Sequence, residues 1–193
     1  MRRIARALGA GTMSLYRYIA TREDLLELIG DALMGEALVP GELPSDWRQA
    51  LVAMARQTRA AYQRHPWAVH LLANSAAAAA AMTGPNALRH IEQSLSALSA
   101  APMAARTKLA VLTVVDDYVF GHLLRALDGS RSAAADPAAA GFVRAQLESG
   151  QFPQLASATD GLDLTAPADP AGLEARFELG LRLLLDGMAG SLG

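Results

Sequence analysis

Four histidines, His65, His70, His90 and His122, are the side chains in this sequence most suited to holding a metal or moving a proton. A carboxylate-bridged metal bundle needs Glu-x-x-His pairs on its helices, and no glutamate stands three residues before any of the four. The absence of cysteine removes thiol zinc sites, iron–sulfur clusters, disulfides and cysteine nucleophiles. A phosphate loop requires Gly-Lys-[ST], yet the single lysine, Lys108, follows Thr107. No Gly-x-Ser-x-Gly nucleophile elbow occurs either. The expectation is therefore a protein that binds rather than catalyses, with no catalytic residue, metal or cofactor.

Arginine carries the remaining chemistry. Between Met1 and Arg22 stand five arginines (Arg2, Arg3, Arg6, Arg17 and Arg22) and no acid, whereas Glu23 to Asp46 holds seven acids and no base. The formal net charge of −2 hides this segregation. Clustered guanidinium groups displace condensed counterions from a phosphate backbone, and the acidic stretch behind them would be repelled from it.

The elements that must position these arginines are helices. Hydrophobic residues make up 52% of the 193, aromatics only 5%, and the chain holds 41 Ala and 30 Leu, the strongest helix formers. An all-α fold is expected. Residues 1–19 read as two short helices around a turn at Gly9 and Gly11, with Ile4 and Leu8, then Leu15 and Ile19, spaced four apart, and with Thr12 as cap. Thr21 to Asp24 has capping-box spacing and opens a helix whose stripe is Leu25, Leu28, Ile29, Ala32 and Leu33. The run Pro40 to Pro44 ends it and makes a hinge, giving domains of 1–40 and 45–193. Further helices are expected from Ser45 or Asp46 to His65, from Pro66 into the alanine run 76–81, from Asn86 to about Ala100, from Met103 to Leu127 with Pro102 at its start, around 141–149, and from Asp169-Pro170 to about Leu192. Loops are expected at 128–140 and 150–168.

If Leu15 and Ile19 face inward, then Met13 and Arg17 lie nearly opposite, with Ser14 and Tyr16 on the flanks. A thioether, a guanidinium, a hydroxyl and a phenol can read base edges, thymine methyls and phosphates in a major groove. The residues by themselves leave a second reading open: a solvated helix pair with ordinary surface arginines.

The run Met1 to Leu26 resembles the second, third and early fourth helices of the DNA-binding domain in the TetR family of bacterial transcriptional repressors. The resemblance lies in Leu8-Gly9, then Ser14-Leu15-Tyr16, Tyr18-Ile19, Arg22 and Leu25-Leu26. Trp47, His65-Pro66-Trp67, Gly84-Pro85-Asn86 and Phe177 to Gly187 look like the helical C-terminal domain of tetracycline-repressor-like members. The resemblance implies that Arg2, Thr12, Met13, Ser14, Tyr16, Arg17 and Tyr18 meet double-stranded operator DNA, that Arg22 contacts a phosphate, and that Leu15, Ile19 and Gly9 are structural. Family members carry a further helix before the position of Met1. The sequence is therefore expected to start at an internal methionine of a longer protein; the alternative is a weakly stable head.

The resemblance also implies an effector cavity in the second domain and a homodimer joined through the late helices. Leu173, Phe177, Leu181, Leu184 and Met188 repeat at helical spacing, while Gly180 and Gly187 would admit a neighbouring helix, so these seven are the expected dimer seam; a buried core helix in a monomer is the other reading. Asp116 is placed on a stripe with Leu109, Leu112, Phe120 and Leu123, an expensive position for an unpaired carboxylate, where it would contact ligand or bond across a dimer. Trp67, His70, Ile91, Asp116, Phe120 and His122 are the candidate effector contacts, and the Ala, Leu, Val and Met content favours a small apolar or aromatic effector. No apolar run approaches a membrane span and no signal-peptide core follows Arg3, so a cytoplasmic protein is expected. Two functions fit: an effector-responsive repressor, or a DNA-independent helical sensor or sequestering protein with an idle head.

Overall fold

Alanine decides how closely these helices pack. Ala37, Ala50, Ala61, Ala68 and Ala87 are each fully buried, so helix axes approach where a larger side chain would hold them apart. The computed structural model describes residues 1–73, 83–132, 137–161 and 169–192. Among them every regular element is an α-helix: α1 (Arg2–Ala7), α2 (Thr12–Tyr16), α3 (Arg22–Ala37), α4 (Trp47–Arg64), α5 (Pro66–Ala73), α6 (Pro85–Ala97), α7 (Ala105–Ser132), α8 (Pro137–Glu148), α9 (Pro153–Ala158) and α10 (Pro170–Leu192). The all-α expectation holds.

The chain forms two units, Met1–Asp116 and Asp117–Gly193, and the division falls inside α7. In the first, α1 packs on α2, α3 packs on α4 and α6, and α4 also touches α5 and α6. Leu26, Leu33 and Met34 of α3 and Leu51, Met54 and Tyr62 of α4 are buried there. In the second, α8 packs on α9, and Val119, His122 and Leu123 of α7 are buried, as are Phe177, Leu181 and Leu185 of α10.

Several boundaries differ from the sequence reading. Thr12 is the first residue of α2 and not its cap; Gly11 holds the cap position with no side-chain bond. Helix α6 begins at Pro85 behind Gly84, and α7 begins at Ala105, past Pro102. α7 then runs to Ser132 and α8 starts at Pro137, so most of the expected 128–140 loop is helix; α9 lies within the expected 150–168 loop. Ala and Ser continue a helix whenever tertiary contacts support it, and composition alone cannot mark that stop. The alanine run 76–81 lies outside the described residues.

The stripe on α7 also differs. Its buried positions are Val111, Val115, Val119, His122 and Leu123, whereas Leu109 is 54% exposed and Asp116 lies on the exposed side. A segment apolar on nearly every face carries no periodic signal to choose between stripes. Asp116 is thus not the costly buried carboxylate expected. On α10, Phe177 and Leu181 are buried inside their own unit, and Gly180 faces Tyr118 of the same chain. Those three expected seam residues serve intramolecular packing. Leu173, Leu184 and Met188 are half-buried, and only Gly187 stands exposed with open space around it.

Candidate nucleic-acid interface and sensor residues

The head is built on very few apolar contacts. Ala5, Leu15 and Ile19 are buried together, with Met1, Ile4 and Leu25 packed against them. Gly9 supplies the turn between α1 and α2 at φ +64°, a conformation that costs a residue with a Cβ about 1–2 kcal/mol. Around it the Ala10 amide donates to the Ala5 carbonyl at 2.9 Å and the Gly9 amide to Arg6 at 3.2 Å, closing α1 as a Schellman turn.

With Leu15 and Ile19 turned in, the other side chains turn out. Arg2, Ser14, Tyr16, Arg17, Tyr18 and Arg22 are exposed, as is Met13 at 78%, and Thr12 is half-buried. Arg3 and Arg6 are exposed as well. The head therefore presents five guanidinium groups, two phenols and a thioether with no acid before Glu23. That surface can neutralise phosphates and reach base edges.

Helix α3 is closed at its first turn by a capping box. The Thr21 hydroxyl accepts from the Asp24 amide at 3.0 Å, while Asp24 Oδ2 accepts from the Ala20 and Thr21 amides, each at 2.9 Å. These bonds hold the Asp24 carboxyl below its ordinary value, the Thr21 hydroxyl contributing most. At its far end, Glu36 meets Arg64 Nη2 at 2.9 Å and His65 Nε2 at 2.9 Å, and Gln57 Nε2 donates to the Glu36 carbonyl at 2.8 Å. The bond from Arg64, more than that from His65, lowers the Glu36 carboxyl below its usual range.

Buried polar side chains concentrate on two helices. Thr58 and Arg59 on α4, and His90 and Ser94 on α6, are each at most 8% exposed. Ser94 Oγ donates to the His90 carbonyl at 2.7 Å, and His90 Nε2 has no hydrogen-bond partner. Burial keeps His90 below its ordinary pKa, hence neutral. Tyr62, 3% exposed, has its phenol pushed up to about 12, by burial first and then by the Asp116 charge. The sequence reading missed this group. Its signal was there: Leu51, Ala55, Thr58 and Tyr62 share one α4 face, and Ala87, His90, Ser94 and Ala97 one α6 face.

The six expected effector residues are divided between the two units. Trp67, His70, Ile91 and Asp116 belong to the first unit, Phe120 and His122 to the second. Trp67 is 52% exposed and sits edge-on to His65 at 6.1 Å. His70, Ile91 and Phe120 are half-buried. His122 packs edge-on to Phe177 at 5.0 Å. A groove of about 690 Å³ lies elsewhere, between Leu38, Val39 and residues 41–45 on one side and the Arg89, Glu92, Gln93 and Ser96 face of α6 on the other. None of the six lines it. Among the described residues no group of three His, Asp or Glu could hold a metal ion, and no helix is long and apolar enough to cross a membrane.

Comparison with known proteins places this arrangement. Residues 39–192 match the family described as tetracyclin repressor-like, C-terminal domain. An HTH-type transcriptional regulator of Saccharopolyspora erythraea is 34% identical, over 100% of this chain and 77% of the relative. The HTH-type transcriptional repressor DrrR1 of Streptomyces coeruleorubidus is 33% identical, over 97% and 68%. A crystal structure of a possible TetR family regulator from Streptomyces coelicolor A3(2) is similar with a TM-score of 0.67 and 31% identity, over 98% of this chain and 88% of that one. The Streptomyces coelicolor TetR family protein ActR, solved in complex with actinorhodin, is similar at 0.67 and 26%, over 100% and 88%. The motif in the head, the match over the second segment and the similarity along the entire chain agree: this chain belongs to the TetR family of transcriptional regulators.

Proposed function

We propose that the protein is a homodimeric repressor that holds double-stranded operator DNA through residues 1–40 and is released when a small molecule enters the helical domain of residues 45–193. The carrying observation is the outward display of Met13, Ser14, Tyr16, Arg17 and Tyr18 over a buried Leu15 and Ile19. Arg17, Tyr16 and Ser14 read bases, and Arg2, Arg22 and Tyr18 hold phosphates. The start of the family match at residue 39 supports the boundary near Pro40. The protein works in the cytoplasm, where its DNA is.

The effector is a small apolar or aromatic compound. That the similar protein ActR has been solved in complex with actinorhodin supports a small-molecule effector. Within this chain, the neutral His90, with Thr58, Arg59 and Ser94, supplies buried hydrogen-bonding groups on α4 and α6. Trp67, His70, Ile91 and Asp116 belong to the same unit. Exposed Leu179 and Leu183, four apart on α10 and followed by Gly187, supply an apolar stripe for a second copy. Effector and DNA oppose one another because each favours a different head spacing.

A gel shift decides the matter. The full chain should retard the DNA upstream of its own gene at moderate salt far better than a shuffled duplex. Equal retardation of the two would end the repressor reading.

A further inference from the structure

Helix α6 is capped from another helix. An N-terminal cap normally comes from the preceding residue, whose side-chain oxygen accepts the orphan amides of the first turn. Here that residue is Gly84, which has no side chain to offer. Asp31 of α3 does the work: Oδ1 accepts from the Asn86 amide at 2.8 Å and the Ala87 amide at 3.0 Å, and Oδ2 accepts from Asn86 Nδ2 at 3.1 Å. The glycine is required, since a Cβ at position 84 would collide with the Asp31 carboxylate. Gly35, one turn further along α3, leaves room for the Asn86 carboxamide, which a Cβ there would approach to 3.1 Å. Asn86 Oδ1 in turn accepts from Arg89 at 2.9 Å.

A second tie follows two turns along α6. Gln93 accepts from the Val39 amide at 3.0 Å and donates to the Val39 carbonyl at 2.9 Å. Both ties join α6, one of the two helices bearing the buried polar groups, to α3 and the residues just past it. At its other end α3 is closed by its own Thr21–Asp24 capping box and packs on the buried Ala5, Leu15 and Ile19 of the head through Leu25.

We propose that Asp31 is the coupling residue of this regulator: it makes α6 and the head-bearing helix α3 move as one, with Gln93 as the second attachment. The proposal rests on the repressor reading above. Hydrogen bonds weaken steeply with small displacements, so α6 cannot shift at its first turn without either drawing α3 along or breaking three bonds together. Whatever displaces α6 then displaces the head, and by reciprocity DNA at the head is felt in α6.

Amide exchange followed by mass spectrometry tests this, with the full chain free and bound to the duplex from upstream of its own gene. In the wild type, DNA should slow exchange over residues 85–90 about five-fold or more, the low end of ordinary coupling. In Asp31→Ala, DNA should still protect residues 12–22 while 85–90 no longer responds. The exchange Asp31→Asn with Asn86→Asp keeps an oxygen for the two amides and restores a donor–acceptor pair, so the response should return. Gly84→Ala, which pushes the carboxylate away, should repeat the loss if Asp31→Ala does not fold. A DNA response over 85–90 that survives in Asp31→Ala or Gly84→Ala, with only baseline protection lowered, would make Asp31 a structural cap and overturn the proposal. So would a wild type that binds DNA with no response at 85–90. A wild type that binds no DNA removes the repressor reading itself, and does so before any variant is compared.

Discussion

The Tyr118 hydroxyl donates to the Phe177 carbonyl at 2.8 Å, and Gly180 leaves the space in which that hydroxyl sits. The two rings of Tyr118 and Phe177 stack at 5.7 Å, so one tyrosine of α7 grips α10 by both its face and its tip. Gly180→Ala should therefore destabilise the protein by about 1–3 kcal/mol, the usual cost of overpacking. Tyr118→Phe should cost about 1 kcal/mol. Urea unfolding of the double variant checks the pairing: the alanine should cost less once the hydroxyl is gone. Strict additivity would contradict it.

The head rests on a small apolar core. Leu15→Ala deletes one of three buried residues there, and a buried leucine is worth about 2–5 kcal/mol. Amide protection over residues 2–20 should collapse while α4 and α6 keep theirs. Equal loss in all these elements would mean that the head and bundle unfold as one.

Arg17 and Arg22 should fail differently. Arg17→Ala should weaken binding to the cognate duplex by about 1–3 kcal/mol and to random DNA much less, as expected of a base contact. Arg22→Gln should weaken both alike and lower the salt slope by about one ion. Fluorescence anisotropy titrations across a salt series separate the two, and identical behaviour would show that both arginines serve phosphates.

Acid should destabilise the protein in two stages. His90 is held neutral, so the unfolded chain takes up a proton that the folded chain refuses; stability falls as pH drops below 6.5. Glu36 is held ionised, so its contribution is present above 4.5 and is lost as pH falls through its lowered value. Urea midpoints measured from pH 7.5 to 3.5 should show the upper stage vanish in His90→Gln and the lower one shrink in Glu36→Gln. An upper stage that persists without His90 would assign it to another group.

On α10, Leu183 is 62% exposed. Leu183→Glu should shift the sedimenting mass from dimer to monomer, whereas Leu185→Ala, inside the protomer, should lower the melting temperature and leave the mass unchanged. A dimer unaffected by the glutamate would place the seam on another face.

Much of this was legible in the amino-acid order because it depends on neighbours in the chain. Alanine and leucine content implied helices, the spacing of Thr21 and Asp24 implied a capping box, and four-residue steps turned Leu15 and Ile19 inward and Arg17 outward. The charge segregation of the first 46 residues needed no fold at all. Tertiary structure decided the rest, because those choices lie between segments distant in sequence. It selected Val111, Val115 and Val119 over Leu109 on a helix whose run from Leu109 to Val115 is apolar at nearly every position. It buried Phe177 and Leu181, the former against Tyr118 and His122, where their spacing served a dimer seam equally well. It also brought Asp31 to the amides of Asn86 and Ala87, more than fifty residues away, a bond for which Gly84 was the only local sign.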